Sequence, residues 1–341
     1  MQPTALQTVW FLLIAVLIGG YAILDGFDLG AGILHLFRRN ERERRQFARA
    51  IAPVWDGNEV WLLTGGGALF AAFPPVYATV FSGFYLAFFV LLAALIARAL
   101  GLELRAKEAS PGWGRFWDLC FGLGSLVPAL LLGVAVGNIL RGVPLDARGH
   151  YTGSFFGLLH PYALLIGVLA VVMFTCHGAL YLATKTADDL RDRLLGWAAR
   201  LWIVWVLLHG AASVLSAGVS PWLFDQAGSR PLTWIFFGLM VISLCGIPLA
   251  ARARRPGRAF LCSSVAIATA IGLAALGLFP RLVPSLTDLR HSLTVANASA
   301  SPLTLKTMLI IALIGMPIVI GYTLYIYRVF RGKVAEGEGG Y

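Results

Sequence analysis

Asp25 and Asp28 stand three residues apart in Tyr21-Ala22-Ile23-Leu24-Asp25-Gly26-Phe27-Asp28-Leu29-Gly30, a run with no other charge. On a helix that spacing puts both carboxylates on one face, with Tyr21 and Gly32 a turn to either side. A carboxylate at the centre of a membrane-spanning helix costs on the order of 2.5–3.5 kcal/mol by insertion scales, so two at one depth point to proton relay or cation binding. Packing, with the acids hydrogen-bonded to neighbouring helices, is the plainer alternative. A second acidic pair follows in Pro53-Val54-Trp55-Asp56-Gly57-Asn58-Glu59-Val60-Trp61. Pro53 suits a first helical turn, where Asp56 answers the free backbone N–H groups, and Glu59 shares its face. Trp55 and Trp61 read most simply as interfacial anchors.

A third polar segment, Arg98-Ala99-Leu100-Gly101-Leu102-Glu103-Leu104-Arg105-Ala106-Lys107, carries one arginine inside an apolar run. Arg98 either snorkels to lipid headgroups or pairs with an acid of the first two spans, and the sequence leaves both open. Arg98, Lys107 and Trp55 are candidates for ion pairing. Asp25, Asp28, Asp56, Glu59 and Glu103 all fall toward one end of their spans and form an acidic entrance. His177 and His209 lie within spans, His35, His160 and His291 near ends, and His150 in a loop. No two present themselves as facing haem ligands, so core histidines are expected. No C-x-x-C-H, G-x-x-x-x-G-K-[ST] or G-x-G-x-x-G segment is present, which removes c-type haem, ATP and dinucleotide sites. Gly65-Gly66-Gly67 is expected at a close helix contact.

The elements that must carry these residues are membrane helices. Of 341 residues 58% are hydrophobic and 13% charged, and mean hydropathy is +0.78, which no water-soluble domain of this size tolerates. Apolar blocks of about twenty residues and more exclude a β-barrel. The fold class is therefore all-α and polytopic, with nine spans near roughly 8–37, 53–73, 76–102, 117–140, 159–184, 199–220, 231–250, 259–279 and 304–328. The whole chain, 1–341, reads as one integral membrane domain, divisible into two four-helix bundles plus one peripheral helix. Nothing in the connections near 141–158 and 280–303 promises a soluble domain.

Basic residues set the orientation. Arg38, Arg39, Arg42, Arg44, Arg45, Arg49, Arg105, Lys107, Arg115, Lys185, Arg191, Arg193, Arg200, Arg252, Arg254, Arg255, Arg258, Arg328, Arg331 and Lys333 fall on one side. Only Arg141, Arg148, Arg230, Arg281, Arg290 and Lys306 fall on the other. The positive side stays in the cytoplasm, so the N-terminus lies outside and the C-terminus inside. The net charge of +10 belongs to this asymmetry and not to nucleic-acid binding. Cys120, Cys176, Cys245 and Cys262 each sit alone in an apolar block and read as small buried residues. The first block lacks a basic start and a small-residue cleavage site, so it is expected to be a retained helix.

Leu24-Asp25-Gly26-Phe27-Asp28-Leu29-Gly30 and Trp55-Asp56-Gly57-Asn58-Glu59-Val60-Trp61 resemble the two signature segments of subunit II of the cytochrome bd ubiquinol oxidases. The likeness continues through Gly66-Gly67-Ala68-Leu69-Phe70-Ala71-Ala72-Phe73-Pro74, Phe81-Ser82-Gly83-Phe84-Tyr85, Gly137-Asn138, His177-Gly178-Ala179 and Gly321-Tyr322-Thr323-Leu324-Tyr325. It implies a heterodimeric terminal oxidase of the prokaryotic plasma membrane that oxidises quinol and reduces dioxygen to water. It also implies that subunit I carries haem b, a haem d-type centre and the quinol site, so that no cofactor or metal belongs to this chain alone. Further implied partners are membrane lipids and a small single-helix accessory subunit. By resemblance, Asp25, Asp28 and Asp56 match acids of a proposed cytoplasmic proton route, and Arg98, Glu103 and Lys107 match the polar end of the third helix. Glu103 stands where the family also uses Asp, and Glu59 where it also uses Gln. Some relatives hold a quinone in this subunit, which by resemblance would lie near Arg98, Lys107 and Trp55; none is expected here.

The resulting expectation is a subunit that scaffolds subunit I and supplies protons to it, with catalytic redox centres elsewhere. Asp56→Asn and Asp25→Asn are expected to lower oxygen consumption more than assembly. The competing class is a proton- or cation-coupled secondary transporter using the same acids, whose mark would be interrupted helices related by internal symmetry.

Overall fold

A computed structural model describes residues 2–38, 40–225 and 230–334; Arg39, counted above among the basic residues, lies outside them. Eleven helices follow one another among the described residues: α1 (Ala5–Leu36), α2 (Glu41–Ile51), α3 (Trp55–Ala72), α4 (Pro74–Gly83), α5 (Tyr85–Leu104), α6 (Pro111–Arg141), α7 (Pro161–Lys185), α8 (Asp188–Val219), α9 (Pro231–Arg252), α10 (Pro256–Leu278) and α11 (Pro302–Val329). Their starts are written in the sequence. Thr4 and Gln7 close a capping box on α1, and α4, α6, α7, α9, α10 and α11 open with proline, whose missing N–H is no loss in a first turn. α6 stops at Gly142, whose φ of 86° suits glycine.

Eight of the described helices are long and apolar enough to cross a membrane. The expected second span, α3, is the shorter one: 18 residues that begin with two acids. It still runs antiparallel to α1 over most of its length, because Trp61 packs on Gly20 and Gly65 on Leu17. The expected third span is divided at Phe84 into α4 and α5. The expectation also missed α2. This arginine-rich helix turns Phe47, Ala50 and Ile51 inward, and Tyr181 donates to its Ala50 carbonyl at 3.2 Å. α2 thus covers one end of the bundle as an amphipathic lid.

α1, α3, α5 and α6 form one four-helix group and α7–α10 a second, joined where α7 lies against α1 and α6. α11 stays at the edge, with no part of its apolar stretch buried. Lipid tails are as apolar as leucine, so helices associate here through close contact. At α1–α7 a Cβ on Gly178 would lie 2.6 Å from the Ala31 backbone nitrogen, and one on Gly30 would strike the Phe174 carbonyl. Of the glycine triplet only Gly65 faces α1, whereas Gly66 and Gly67 have nothing within 4 Å, so the close contact expected of all three belongs to one. The cysteines also differ from expectation: Cys176 is buried, Cys120 and Cys262 are half-buried, and Cys245 is exposed on α9. A membrane helix can turn a thiol to lipid as readily as inward.

At the end away from α2, the two long connections interlock. β1 (Arg281–Val283) pairs antiparallel with β2 (Leu293–Thr294), and Val143 exchanges backbone hydrogen bonds with Pro284 and Leu286 at 3.0 Å. Val143, Leu145, Val283 and Val295 are buried with Trp10 and Phe73 in a small second core.

Candidate functional site

Arg98 comes to the bundle centre because α5 lies unusually close to α6. A Cβ on Gly124 would sit 2.6 Å from the Arg98 backbone nitrogen. The side chain is fully buried, and its fork closes on Asp25: Nη1 donates to Oδ2 at 2.9 Å and Nη2 to Oδ1 at 2.5 Å. Of the two readings the sequence left open, pairing holds, since a charge withdrawn from water needs an opposite charge in good geometry. The guanidinium also lies 6.0 Å from the Trp55 ring centre, and Glu59 Oε2 is 3.9 Å from Nη1. Arg98 thereby gathers an acid of α1, an acid of α3 and an aromatic ring.

Asp28, one turn nearer the arginine-rich end, has a different partner. Asn58 donates from Nδ2 to Asp28 Oδ2 at 2.7 Å and to the Leu24 carbonyl at 3.2 Å, while the Tyr327 hydroxyl donates to Asn58 Oδ1 at 2.9 Å. Asp28 and Asn58 are both buried, and Asp28 Oδ1 has no hydrogen-bond partner among the described residues. The two acids of α1 therefore differ: Asp25 is clamped at both oxygens and Asp28 at one.

Exposure rises along α3. Asp25 and Asp28 are inaccessible, the Glu59 side chain is 21% exposed, and Asp56 is exposed. Glu103 and Lys107, at the end of α5, are exposed and form no hydrogen bond or ion pair with the buried group. The structure thus brings together Asp25, Asp28, Glu59, Arg98 and Trp55, and leaves Asp56, Glu103 and Lys107 at the surface. By helix rise Glu103 lies about 7.5 Å beyond Arg98 along α5.

Three residues of this region escaped the sequence argument. Tyr327 joins from the far end of the chain with no charge to announce it. Asp118 was counted inside an apolar block, yet it accepts from His35 Nε2 at 2.8 Å, Arg44 at 2.8 Å and Arg105 at 2.5 Å. Glu43, buried on α2, accepts from Arg193 at 2.7 Å. An acid at the arginine-rich end of a span was the available signal for Asp118. These pairs fasten α2 to α1, α6 and α8.

Two of the buried histidines are already engaged. His177 has both ring nitrogens engaged, Nδ1 with Ser263 Oγ at 2.6 Å and Nε2 with the Ile23 carbonyl at 3.0 Å, and His35 Nε2 is held by Asp118. Two cavities, of about 490 Å³ beside Trp222 and Arg281 and about 130 Å³ beside Asn138 and Arg141, are lined by no histidine. Among the described residues no three His, Cys, Asp or Glu side chains gather as a metal site.

Residues 6–330 match the family described as cytochrome bd terminal oxidase subunit II. The chain belongs to that family. It is 39% identical to the cytochrome bd-I ubiquinol oxidase subunit 2 of Escherichia coli (strain K12), with 98% of this chain and 96% of that one aligned. It is 37% identical to the cytochrome bd ubiquinol oxidase subunit 2 of Bacillus subtilis (strain 168), over 98% of both. A structure of the bd oxidase from Geobacillus thermodenitrificans has the same fold, with a TM-score of 0.78 at 17% identity over 96% of this chain and 99% of that one. Membership of the bd oxidase subunit II family displaces the transporter reading, and it makes the chain a multi-pass membrane subunit of a terminal oxidase.

Proposed function

We propose that this chain supports the haem-bearing subunit I of a bd-type quinol oxidase and conducts protons to it from the cytoplasm. Haem b, the haem d-type centre and the quinol site lie in that partner, and the complex oxidises quinol while reducing dioxygen to water. The observation that carries the reading is the graded burial of four acids, from exposed Asp56 through Glu59 to inaccessible Asp25 and Asp28. Asp56 and Glu59 meet water and collect protons. Asp25, held at both oxygens, keeps Arg98 in place. Asp28, with one oxygen unpartnered, is the acid with room to accept and release a proton. Glu103, in the last turn of α5, and Lys107, just beyond it, add exposed polar groups to the same entrance.

The arginine-rich end, with α2, faces the cytoplasm and the N-terminus lies outside, in a prokaryotic plasma membrane. Subunit I, membrane lipids and a small single-helix accessory subunit are its partners. In right-side-out vesicles an impermeant thiol reagent should label Arg290→Cys and spare Arg45→Cys; the converse pattern would reverse the orientation. For the proton role, Asp28→Asn in the two-subunit complex should leave the haem spectrum intact and reduce turnover per haem at least about ten-fold. Normal turnover would remove Asp28 from the route.

A further inference from the structure

We infer that Tyr327 is a positioning residue: from the last turn of α11 it fixes the Asn58 amide so that Asp28 exchanges its proton at Oδ1 alone. The inference rests on the reading that Asp28 carries protons. Its basis is the hydrogen bond that α11 makes with Asn58, the amide that holds Asp28.

α11 otherwise touches the bundle lightly. At its first turn Leu305 is buried and its carbonyl accepts from Trp10 Nε1 at 2.9 Å. At its last turn Tyr327 packs edge-on to Phe27, with ring centres 6.5 Å apart, and reaches Asn58. The chain beyond is tied down as well. Lys185 Nζ donates to the Phe330 carbonyl at 2.5 Å, and the Val334 N–H donates to the Lys185 carbonyl at 2.9 Å. Position 327 is therefore held by contacts before and after it.

The orientation of Asn58 follows from its neighbours. The Leu24 carbonyl accepts only, Asp28 Oδ2 accepts, and the Tyr327 hydroxyl supplies a proton. Turning the amide over would set its oxygen against the Leu24 carbonyl and Asp28. With Asn58 donating to Oδ2, that oxygen is committed as an acceptor. Oδ1 is buried and without a partner, so a proton arriving at Asp28 binds there. Without the Tyr327 hydroxyl, Asn58 Oδ1 loses its hydrogen bond in a site closed to water. The amide still cannot turn over against the Leu24 carbonyl, but it is held from one side only, its hydrogen bond to Asp28 Oδ2 loosens, and Oδ2 then competes with Oδ1 for the proton.

The test uses the complete complex. Infrared difference spectra give the carboxyl stretch of Asp28, identified by its disappearance in Asp28→Asn. Tyr327→Phe keeps the ring and removes the hydroxyl. It should move that band and slow turnover roughly two- to ten-fold, the range expected for one lost hydrogen bond, with haem content unchanged. Tyr325→Phe, exposed on the same helix, should leave the band in place. If Tyr327→Phe does not assemble, 3-fluorotyrosine at position 327 alters the donor without changing its shape and should also move the band. An Asp28 band unmoved by either change overturns the inference, even if turnover falls. Normal turnover in Asp28→Asn would defeat the proton-route reading, while the band still decides the role of Tyr327.

Discussion

Arg98 and Asp25 form a charge pair with no access to water, and the structure allows the consequence of breaking it to be worked out. Arg98→Gln leaves the Asp25 carboxylate buried without its two hydrogen bonds, at 2.9 and 2.5 Å. Removing one member of a buried pair costs about 3–5 kcal/mol. Asp25→Asn leaves a guanidinium instead, and Glu59, 3.9 Å away, takes up part of that charge, so its cost falls near the lower bound of about 3 kcal/mol. Independent effects would then sum to about 6–8 kcal/mol. Arg98→Gln with Asp25→Asn in one chain removes both charges together and should cost only about 1–3 kcal/mol, a shortfall of at least about 3 kcal/mol. The assay is unfolding of the purified complex in mixed micelles by dodecyl sulfate titration, with assembled yield recorded for each variant. A double variant whose cost equals the sum of the singles within about 0.5 kcal/mol would refute the pairing.

Gly178→Ala should cost at least about 1–3 kcal/mol by forcing α7 from α1, whereas Gly66→Ala should stay within about 0.5 kcal/mol; equal costs in the same titration would contradict the close contact. Asp118→Asn should loosen α2 by about 2–3 kcal/mol, less than for a fully buried pair because Arg44 and Arg105 keep some solvent. Faster amide exchange over Glu41–Ile51 would show it, and unchanged exchange would exclude the tie. In the far connection, the Arg290 side chain and backbone N–H hold Asp288 down at about 2, below its ordinary 3.8. Its folded value is lowered, so its contribution is present above about pH 4 and fades as pH falls toward 2. The difference in local amide exchange between wild type and Asp288→Asn should vanish over that window, and a difference that grows on acidification would contradict the sign.

Much of this was legible because membrane helices announce themselves. Unbroken apolar runs, prolines at first turns and the one-sided arginines give the spans, and the spacing of Asp25 and Asp28 puts two acids on one face. What periodicity could not provide is the identity of partners. The sequence treats Asp25 and Asp28 alike, and only the packing of the helices around α1 gives Arg98 to Asp25 and Asn58 to Asp28. Asp25→Asn is therefore expected to strain assembly as well as turnover, because it leaves Arg98 without its partner. Tyr327 was invisible because an uncharged residue 269 positions from Asn58 leaves no local signal. α2 was missed because its apolar stripe of Phe47, Ala50 and Ile51 is short and crowded by arginines, and the packed connections because their core is assembled from two distant segments. Asp56 and Glu103, which the sequence groups with the buried acids, sit at the surface, where burial alone assigns them no partner.

The central claim is that protons for dioxygen reduction pass through Asp28, and proton uptake tests it most directly. In proteoliposomes holding the two-subunit complex, an oxygen pulse is followed with a pH-sensitive dye on the side of α2. Asp28→Asn should slow uptake at least about ten-fold with an unaltered haem spectrum, and Asp28→Glu should restore part of the rate, since it returns a titratable group to the same helix position. Uptake from that side at the wild-type rate in Asp28→Asn would contradict the account.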